Sequence, residues 1–364
     1  MFDTVAKPAR RLAEKFGDDL LALVATLHVL LVLSLAMVLF SVSQSQAAEE
    51  NCGGRNLIAE MRANDPARLV DLEKQAAAIP NGKGIFWKVE KPGIAPSYLL
   101  GTMHVTDPRV LAMPKGAAEA YEAARTVVVE SEEIIDERKA AAAVMMQPGL
   151  TMFADGKTIG DFLNAQDREK LDAGLKRRGI PLTLVARMKP WMIASFVALP
   201  ACELTRKAAG ASFLDKKLAE DALAQGKSLK GLETMVEQLQ AMDALPVKFH
   251  LEALIETLDL GDTIADVMAT TTDLYLAGEI GMIMPLMKAV SAEKSGGEEE
   301  ADYAGFEQRI VTDRNRIMAS RARPILDTGA VFMAVGALHL PGKDGVIELL
   351  RADGFTVTSM TAAN

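Results

Sequence analysis

Two apolar runs of this chain each lead into Gly-x-x-His: Tyr98-Leu99-Leu100-Gly101-Thr102-Met103-His104 and Val331-Phe332-Met333-Ala334-Val335-Gly336-Ala337-Leu338-His339. The chain has only four histidines, and two of them stand at matching strand ends. Glycine lets the backbone turn or approach a ligand closely, and an imidazole just beyond a buried strand sits where α/β proteins build their sites. A third run, Thr126-Val127-Val128-Val129, ends in Glu130, a group that binds metal or moves protons. His104, His339 and Glu130 at three strand ends therefore form a candidate active site.

The pattern between these points is mainly helical. Asn56 to Ala78 carries helical spacing and stops at Pro80-Asn81-Gly82. Ile85 to Val89 and Tyr98 to Gly101 read as strands of a hairpin, and Lys115 to Ala124 reads as a short helix. From about residue 136 to 290, Leu, Met and Ala recur at three- and four-residue spacing. Within that stretch Gln225 to Glu233 breaks the helical pattern, leaving room for one short strand entering the same sheet. Residues 291 to 303 read as a polar acidic surface loop, followed by a helix from Phe306 to Arg321 and a closing helix–strand unit, Gly345 to Thr358. This is an α+β or α/β-like core, residues 52–360: a central sheet with paired strand-Gly-x-x-His units and a large helical insertion.

Residues 1–47 form a separate N-terminal segment. Lys7, Arg10, Arg11 and Lys15 precede an apolar stretch from Leu20 to Val42, interrupted by His28, and such a length suffices to cross a bilayer as a helix. Basic residues stay on the cytoplasmic side, and Ser45-Gln46-Ala47 presents small residues where a signal peptidase cuts. The segment is thus a signal peptide or a membrane anchor. It places the rest of the chain in the periplasm, or facing it from the inner membrane. The formal charge of −9 and the absence of a basic cluster beyond the N-terminus exclude a nucleic-acid partner. In an oxidising compartment the pair Cys52 and Cys202 reads as one candidate disulfide, the alternative being two inert buried thiols.

Further groups carry chemistry of lesser specificity. Glu233, in Gly231-Leu232-Glu233, is a candidate ligand or base, set against an ordinary acidic residue in the first turn of a helix. Arg314-Asn315 lies on a helix among other arginines, and His250 reads as a satisfied histidine in a helix. No Gly-rich phosphate loop, Gly-x-Ser-x-Gly elbow or His-Glu-x-x-His helix is present. Nucleotide enzymes, serine hydrolases and the common zinc proteases therefore lack support.

The ordered set Tyr-Leu-Leu-Gly-Thr-Met-His, Val-Val-Val-Glu, Gly-Leu-Glu-Thr followed by Glu237-Gln238, Arg-Asn and Gly-Ala-Leu-His resembles the TraB/PrgY/GumN family over about residues 52 to 360. That family includes the Tiki proteins, membrane-tethered metal-dependent proteases that depend on paired Gly-x-x-His motifs and a glutamate. The resemblance implies that His104, His339 and Glu130 are the metal-binding or catalytic set; Glu233 matches a motif position and stays a candidate metal ligand or base. It implies a divalent ion (manganese, cobalt or zinc). Arg314 and Asn315 match motif positions and are candidates for holding a substrate carboxylate or carbonyl oxygen.

The first reading is an exported metal-dependent hydrolase acting on a peptide or protein substrate, the ion lowering the pKa of bound water and Glu130 acting as ligand or base. The alternatives are a non-catalytic protein that binds a peptide or metal at the same cleft, and an accessory to polysaccharide biosynthesis. A reporter enzyme that is active only after export, fused to the C-terminus, is expected to be active. Activity there of a reporter restricted to the cytoplasm would refute export.

Overall fold

The strand runs are apolar without alternation because both faces of the sheet are covered. The computed structural model describes residues 52–154, 156–295 and 304–360. The apolar segment Leu20 to Val42 and the Ser45-Gln46-Ala47 site lie outside them. Six strands, β1 (Phe86–Glu90), β2 (Ser97–Thr102), β3 (Thr126–Val129), β4 (Ser228–Gly231), β5 (Val331–Gly336) and β6 (Thr356–Ser359), form one sheet in the order β4-β3-β5-β2-β1-β6. The first four in that order are mutually parallel, and β1 is antiparallel to both its neighbours. The fold is mixed α/β. The β1–β2 hairpin and the short strand from the helical middle occur as the sequence indicates.

Successive side chains of a strand point to opposite faces. Leu99, Val128, Met333 and Val335 enter one core, which is shared with Leu72, Met318, Leu326 and Ile347. Leu100, Val127, Val129, Phe332 and Ala334 enter the other, packed on Ala117, Tyr121, Leu218 and Ala222. Parallel strands buried on both faces read as continuous apolar runs for this reason. The helical insertion has a core of its own, including Phe153, Ile159, Leu171, Leu175, Ile193 and Leu254.

Three boundaries differ from the sequence reading, each for a local reason. The helix expected over Asn56 to Ala78 is two, Leu57–Asn64 and Pro66–Ala77. Asp65 ends the first and caps the second by accepting the Arg68 amide, and Pro66 occupies the first turn, where its missing N–H is harmless. The helix expected to stop at Arg321 begins as a π-turn, Glu307–Thr312, and continues as Asp313–Leu326 with Pro324 inside it. Pro324 falls in the last turn, so only a terminal ladder bond is lost. The helix Ile283–Ser295 covers the start of the polar loop expected over residues 291 to 303, the rest of which lies outside the described residues. Among the described residues no helix is long and apolar enough to cross a membrane.

Cys52 and Cys202 are joined in a disulfide with their Cα atoms 5.4 Å apart, which ties the start of the described chain to the helix Ala201–Ala208.

Leu99 is fully buried at the centre of β2. Leu99→Ala is expected to lower the unfolding free energy by about 2–5 kcal/mol. Lys91→Ala, which removes a partly exposed ion pair with Asp327, should change it by about 0–1 kcal/mol. Urea midpoints measure both, and equal effects would contradict the core assignment.

Candidate active site

Because β4, β3, β5 and β2 run parallel, their C-terminal ends share one edge of the sheet. In open α/β sheets ligands bind at this edge. Glu233 follows β4, Glu130 follows β3, the turn Ala337–His339 follows β5, and His104 follows β2. Thr102 of β2 is paired in register with Gly336 of β5, so the two Gly-x-x-His segments leave the sheet side by side.

The glycines serve close approach. Gly336 has φ −52°, a value open to any residue, but a Cβ there would stand 3.0 Å from Glu130 Oε1 and 3.4 Å from the His339 ring. A Cβ on Gly101 would run into Leu340 and lie 3.1 Å from Ala337 Cα. Gly101 thus lets the chain beyond β5 pack against β2, and Gly336 leaves room for the Glu130 carboxylate and the His339 ring.

Glu130 is 6% exposed. Its Oε1 accepts the Gly336 N–H at 2.7 Å, and its Oε2 accepts from Arg314 Nη2 at 2.7 Å and from Gln238 Nε2 at 3.2 Å. Arg314 turns the rest of its fork on Glu233, donating from Nη2 at 2.7 Å and from Nε at 3.1 Å to both carboxylate oxygens. Glu233 is therefore held by a guanidinium. Arg314 itself is mostly buried, bridging Glu130 after β3 and Glu233 after β4, at a position the sequence had suggested for holding substrate. Burial alone would discourage ionisation of Glu130. His339 and His104 when protonated, Arg314 always, and the Gly336 amide outweigh it and hold the carboxyl down to about 2.

His339 is held from behind. Asn315 donates from Nδ2 to the Asp344 carbonyl at 2.9 Å, which fixes its amide so that Oδ1 faces His339 Nδ1 at 2.7 Å. An amide oxygen only accepts, so Nδ1 carries the ring proton and Nε2 presents a lone pair. Burial, with the Arg314 and His104 charges, outweighs Glu130 and pushes the imidazole pKa down to about 4. The ring is thus neutral near pH 7. Its Nε2 stands 3.8 Å from Glu130 Oε1, so two electron-pair donors face each other across a gap.

His104 is at the mouth of the cleft, its side chain 51% exposed. Desolvation would lower its pKa, but the Asp215 carboxylate, 3.5 Å from Nε2, and the more distant Glu130 raise it well above the ordinary imidazole value. The backbone carrying it is clamped by the disulfide-linked helix. Glu203, buried, accepts from the Thr106 amide at 2.8 Å and hydroxyl at 2.7 Å, and Lys207 donates to the His104 carbonyl at 3.3 Å. His250 lies apart, bonded to the Met242 carbonyl at 2.8 Å.

His104, Glu130 and His339 are thus close enough to shift one another's protonation. Among the described residues, however, no three His, Cys, Asp or Glu side chains gather tightly enough to hold an ion. The physical reason is visible: Arg314 draws both glutamates towards itself, and Asp215 faces His104. Sequence reasoning did not find Asp215, Gln238's contact, or Glu203. The only available signal was Glu237-Gln238 behind the Gly-Leu-Glu-Thr segment.

The model of the TraB/PrgY/gumN family matches residues 85–359, and the chain belongs to that family. It is 24% identical over 322 residues to a protein of Nematostella vectensis named Metalloprotease TIKI homolog, covering 76% of this chain and 67% of that protein. It is 24% identical over 313 residues to Metalloprotease TIKI2 of Danio rerio, covering 74% and 60%. Against Metalloprotease TIKI1 of Danio rerio it is 24% identical over 318 residues, covering 74% and 62%. The chain thus spans about three fifths to two thirds of the length of these relatives. No solved structure matches it significantly.

The buried neutral imidazole has a consequence for stability. His339 in the fold resists protonation until about pH 4, against 6.5 for the free side chain, so its contribution is present above 6.5 and lost as pH falls towards 4. Glu130 adds a second loss, between the free value of 4.5 and about 2. In chelator-treated protein the melting temperature is expected to fall steadily from pH 6.5 to 4, and less steeply in His339→Gln. A flat wild-type curve in that range would show that His339 is not buried as a neutral ring.

Proposed function

We propose that the chain is a divalent-metal-dependent hydrolase of peptide bonds, with His339, Glu130 and His104 as the ligand set. The observation that carries this reading is the 3.8 Å gap between His339 Nε2 and Glu130 Oε1. Two lone-pair donors facing one another in a buried place repel unless a cation or a proton lies between them. Two ligand bonds of about 2.0–2.2 Å each put their donor atoms roughly 3.3–4.4 Å apart as the angle at the ion opens from tetrahedral to linear, a range that includes this gap. The residues fit a metal in their chemistry, two imidazoles and a carboxylate, and in the outer support that ligating histidines require.

When bound, the ion would polarise the scissile carbonyl and lower the pKa of its water. The chain's own residues do the rest. Asn315 keeps the His339 proton on Nδ1 and so keeps Nε2 available. Gly336 and Gln238 hold the Glu130 carboxylate in place. The approach of Glu130 Oε1 to His339 Nε2, 3.8 Å, favours Glu130 as a ligand beside that histidine. Arg314 offsets the negative charge of Glu130 and Glu233.

The names of the relatives support the peptidase reading. The Cys52–Cys202 disulfide supports export, since such bonds persist in oxidising compartments. On this reading the chain acts in the periplasm, either released there or anchored in the inner membrane by its N-terminal segment.

Metal analysis of the purified full-length chain is expected to find about one divalent ion per chain, and a peptide library is expected to be cleaved. His104→Ala and His339→Ala should each lower kcat/KM more than 100-fold and weaken metal binding without unfolding the protein, because no neighbour replaces a lost ligand. Glu130→Gln should lose affinity as well as turnover. His250→Ala is the control and should change neither. Bound metal without cleavage of any peptide would leave the non-catalytic binding protein, and hydrolysis by the His104→Ala, His339→Ala double variant would place the chemistry elsewhere.

A further inference from the structure

Asp215 is 2% exposed and lies in the first turn of the helix Leu214–Ala224. An acid there ordinarily serves the helix terminus, but this one turns away from it. Its Oδ1 accepts from Thr102 Oγ1 at 2.8 Å and stands 3.5 Å from His104 Nε2, an ion-pair distance. Its Oδ2 is buried with no hydrogen-bond partner. A buried carboxylate with one oxygen unsatisfied is unfavourable for folding. Its presence at the ring of a Gly-x-x-His histidine calls for a role at that ring.

The surroundings give the role. Thr102 belongs to the Gly101-Thr102-Met103-His104 segment itself, so the contacts run from Thr102 to Asp215 and back to His104. Phe213, two residues before Asp215, packs its ring against His104 with centroids 5.0 Å apart. One turn of chain thus supplies both an aromatic ring, tilted 50° to the imidazole, and a carboxylate. On the other side of the cleft, Asn315 and the Asp344 carbonyl do the same for His339. The contacted nitrogens differ: Nδ1 of His339 is bonded, whereas Nε2 of His104 faces the carboxylate. Ligating histidines characteristically present their second ring nitrogen to a carboxylate or carbonyl.

We propose that Asp215 is a positioning residue of the active site, which with Thr102 orients the His104 ring and directs Nδ1 into the cleft, as Asn315 directs Nε2 of His339. The consequence for metal binding rests on the hydrolase reading above, whereas the orientation of His104 does not.

The test uses the full-length chain with Asp215→Ala, Asp215→Asn and, as a control on the same helix, Asp221→Ala. In metal-free protein at fixed pH, nitrogen NMR of the imidazoles is expected to show the His104 ring shifts moved by Asp215→Ala and those of His339 unmoved. Calorimetric titration with Mn²⁺ or Zn²⁺ is expected to show affinity weakened about 10–100-fold by Asp215→Ala. The same substitution made in His104→Ala should add no further loss, and Asp215→Asn should recover at least half of the loss on a logarithmic scale. Asp221→Ala should match the wild type.

Unmoved His104 shifts in Asp215→Ala, or an equal loss of affinity with and without His104, would overturn the proposal. Should Asp215→Ala fail to fold by circular dichroism, Asp215→Ser, too short to reach the ring, decides, and unchanged His104 shifts there overturn it too. A wild-type chain that binds neither metal would sink the hydrolase reading, and the ring shifts would still decide the role of Asp215.

Discussion

Arg314 is the charge on which the rest of the site depends. Its guanidinium, 13% exposed, lies between Glu130 and Glu233, side chains that are 8% and 2% exposed. Taking three charges out of water is unfavourable, and the mutual attraction in a poorly polarisable interior compensates only where geometry is good. Here the planar fork reaches three carboxylate oxygens. Removing one partner of such a set leaves a buried charge uncompensated, a loss of about 3–5 kcal/mol. The same contact fixes Glu130 where its other oxygen receives the Gly336 amide, and through it the turn that carries His339. Beside it Arg321 forms a second clamp, donating to the Leu232 carbonyl and to both oxygens of Glu237.

The cleft is thus assembled from unlike halves. The His339 side is rigid: a fully packed strand, a neutral ring, and an amide whose orientation is forced by a carbonyl. The His104 side depends on chain far away in sequence. The helix Ala201–Ala208 is held by the Cys52–Cys202 disulfide, and its Glu203 takes both hydrogen-bond donors of Thr106. One helix of the insertion thus supports the loop that brings His104 to the mouth, while other parts of it supply β4, Glu233 and Asp215.

Much of this was readable before any coordinates. The paired strand-Gly-x-x-His segments and Val127-Val128-Val129-Glu130 stand at one edge because buried parallel strands must be apolar throughout and must all end on the same side. The short strand within Gln225 to Glu233 was legible because glycines flank it and break the helical pattern. Thr234 and Glu237 form a reciprocal cap at the start of the helix Met235–Asp243, a local motif visible in sequence spacing. Boundaries were less legible: Asp65-Pro66 both ends one helix and starts the next, while Pro324 is tolerated inside a helix because it sits in the final turn.

The partners of the site residues lay beyond sequence reasoning. Nothing in the order of residues says that Arg314 will serve two glutamates from β3 and β4 instead of a substrate, or that Asn315 will grip His339. Asp215 reads as one more acid at a helix start, and only its approach to Thr102 and His104 marks it. The sequence by itself determined the strands, the edge and the three groups that stand on it, because hydrophobic period and glycine positions are local properties. Tertiary structure alone decided which nitrogen faces the cleft, which carboxylate is neutralised and which is left unsatisfied. Those depend on distances of a few ångströms between segments a hundred or more residues apart, and Coulomb and hydrogen-bond energies change sharply over that range.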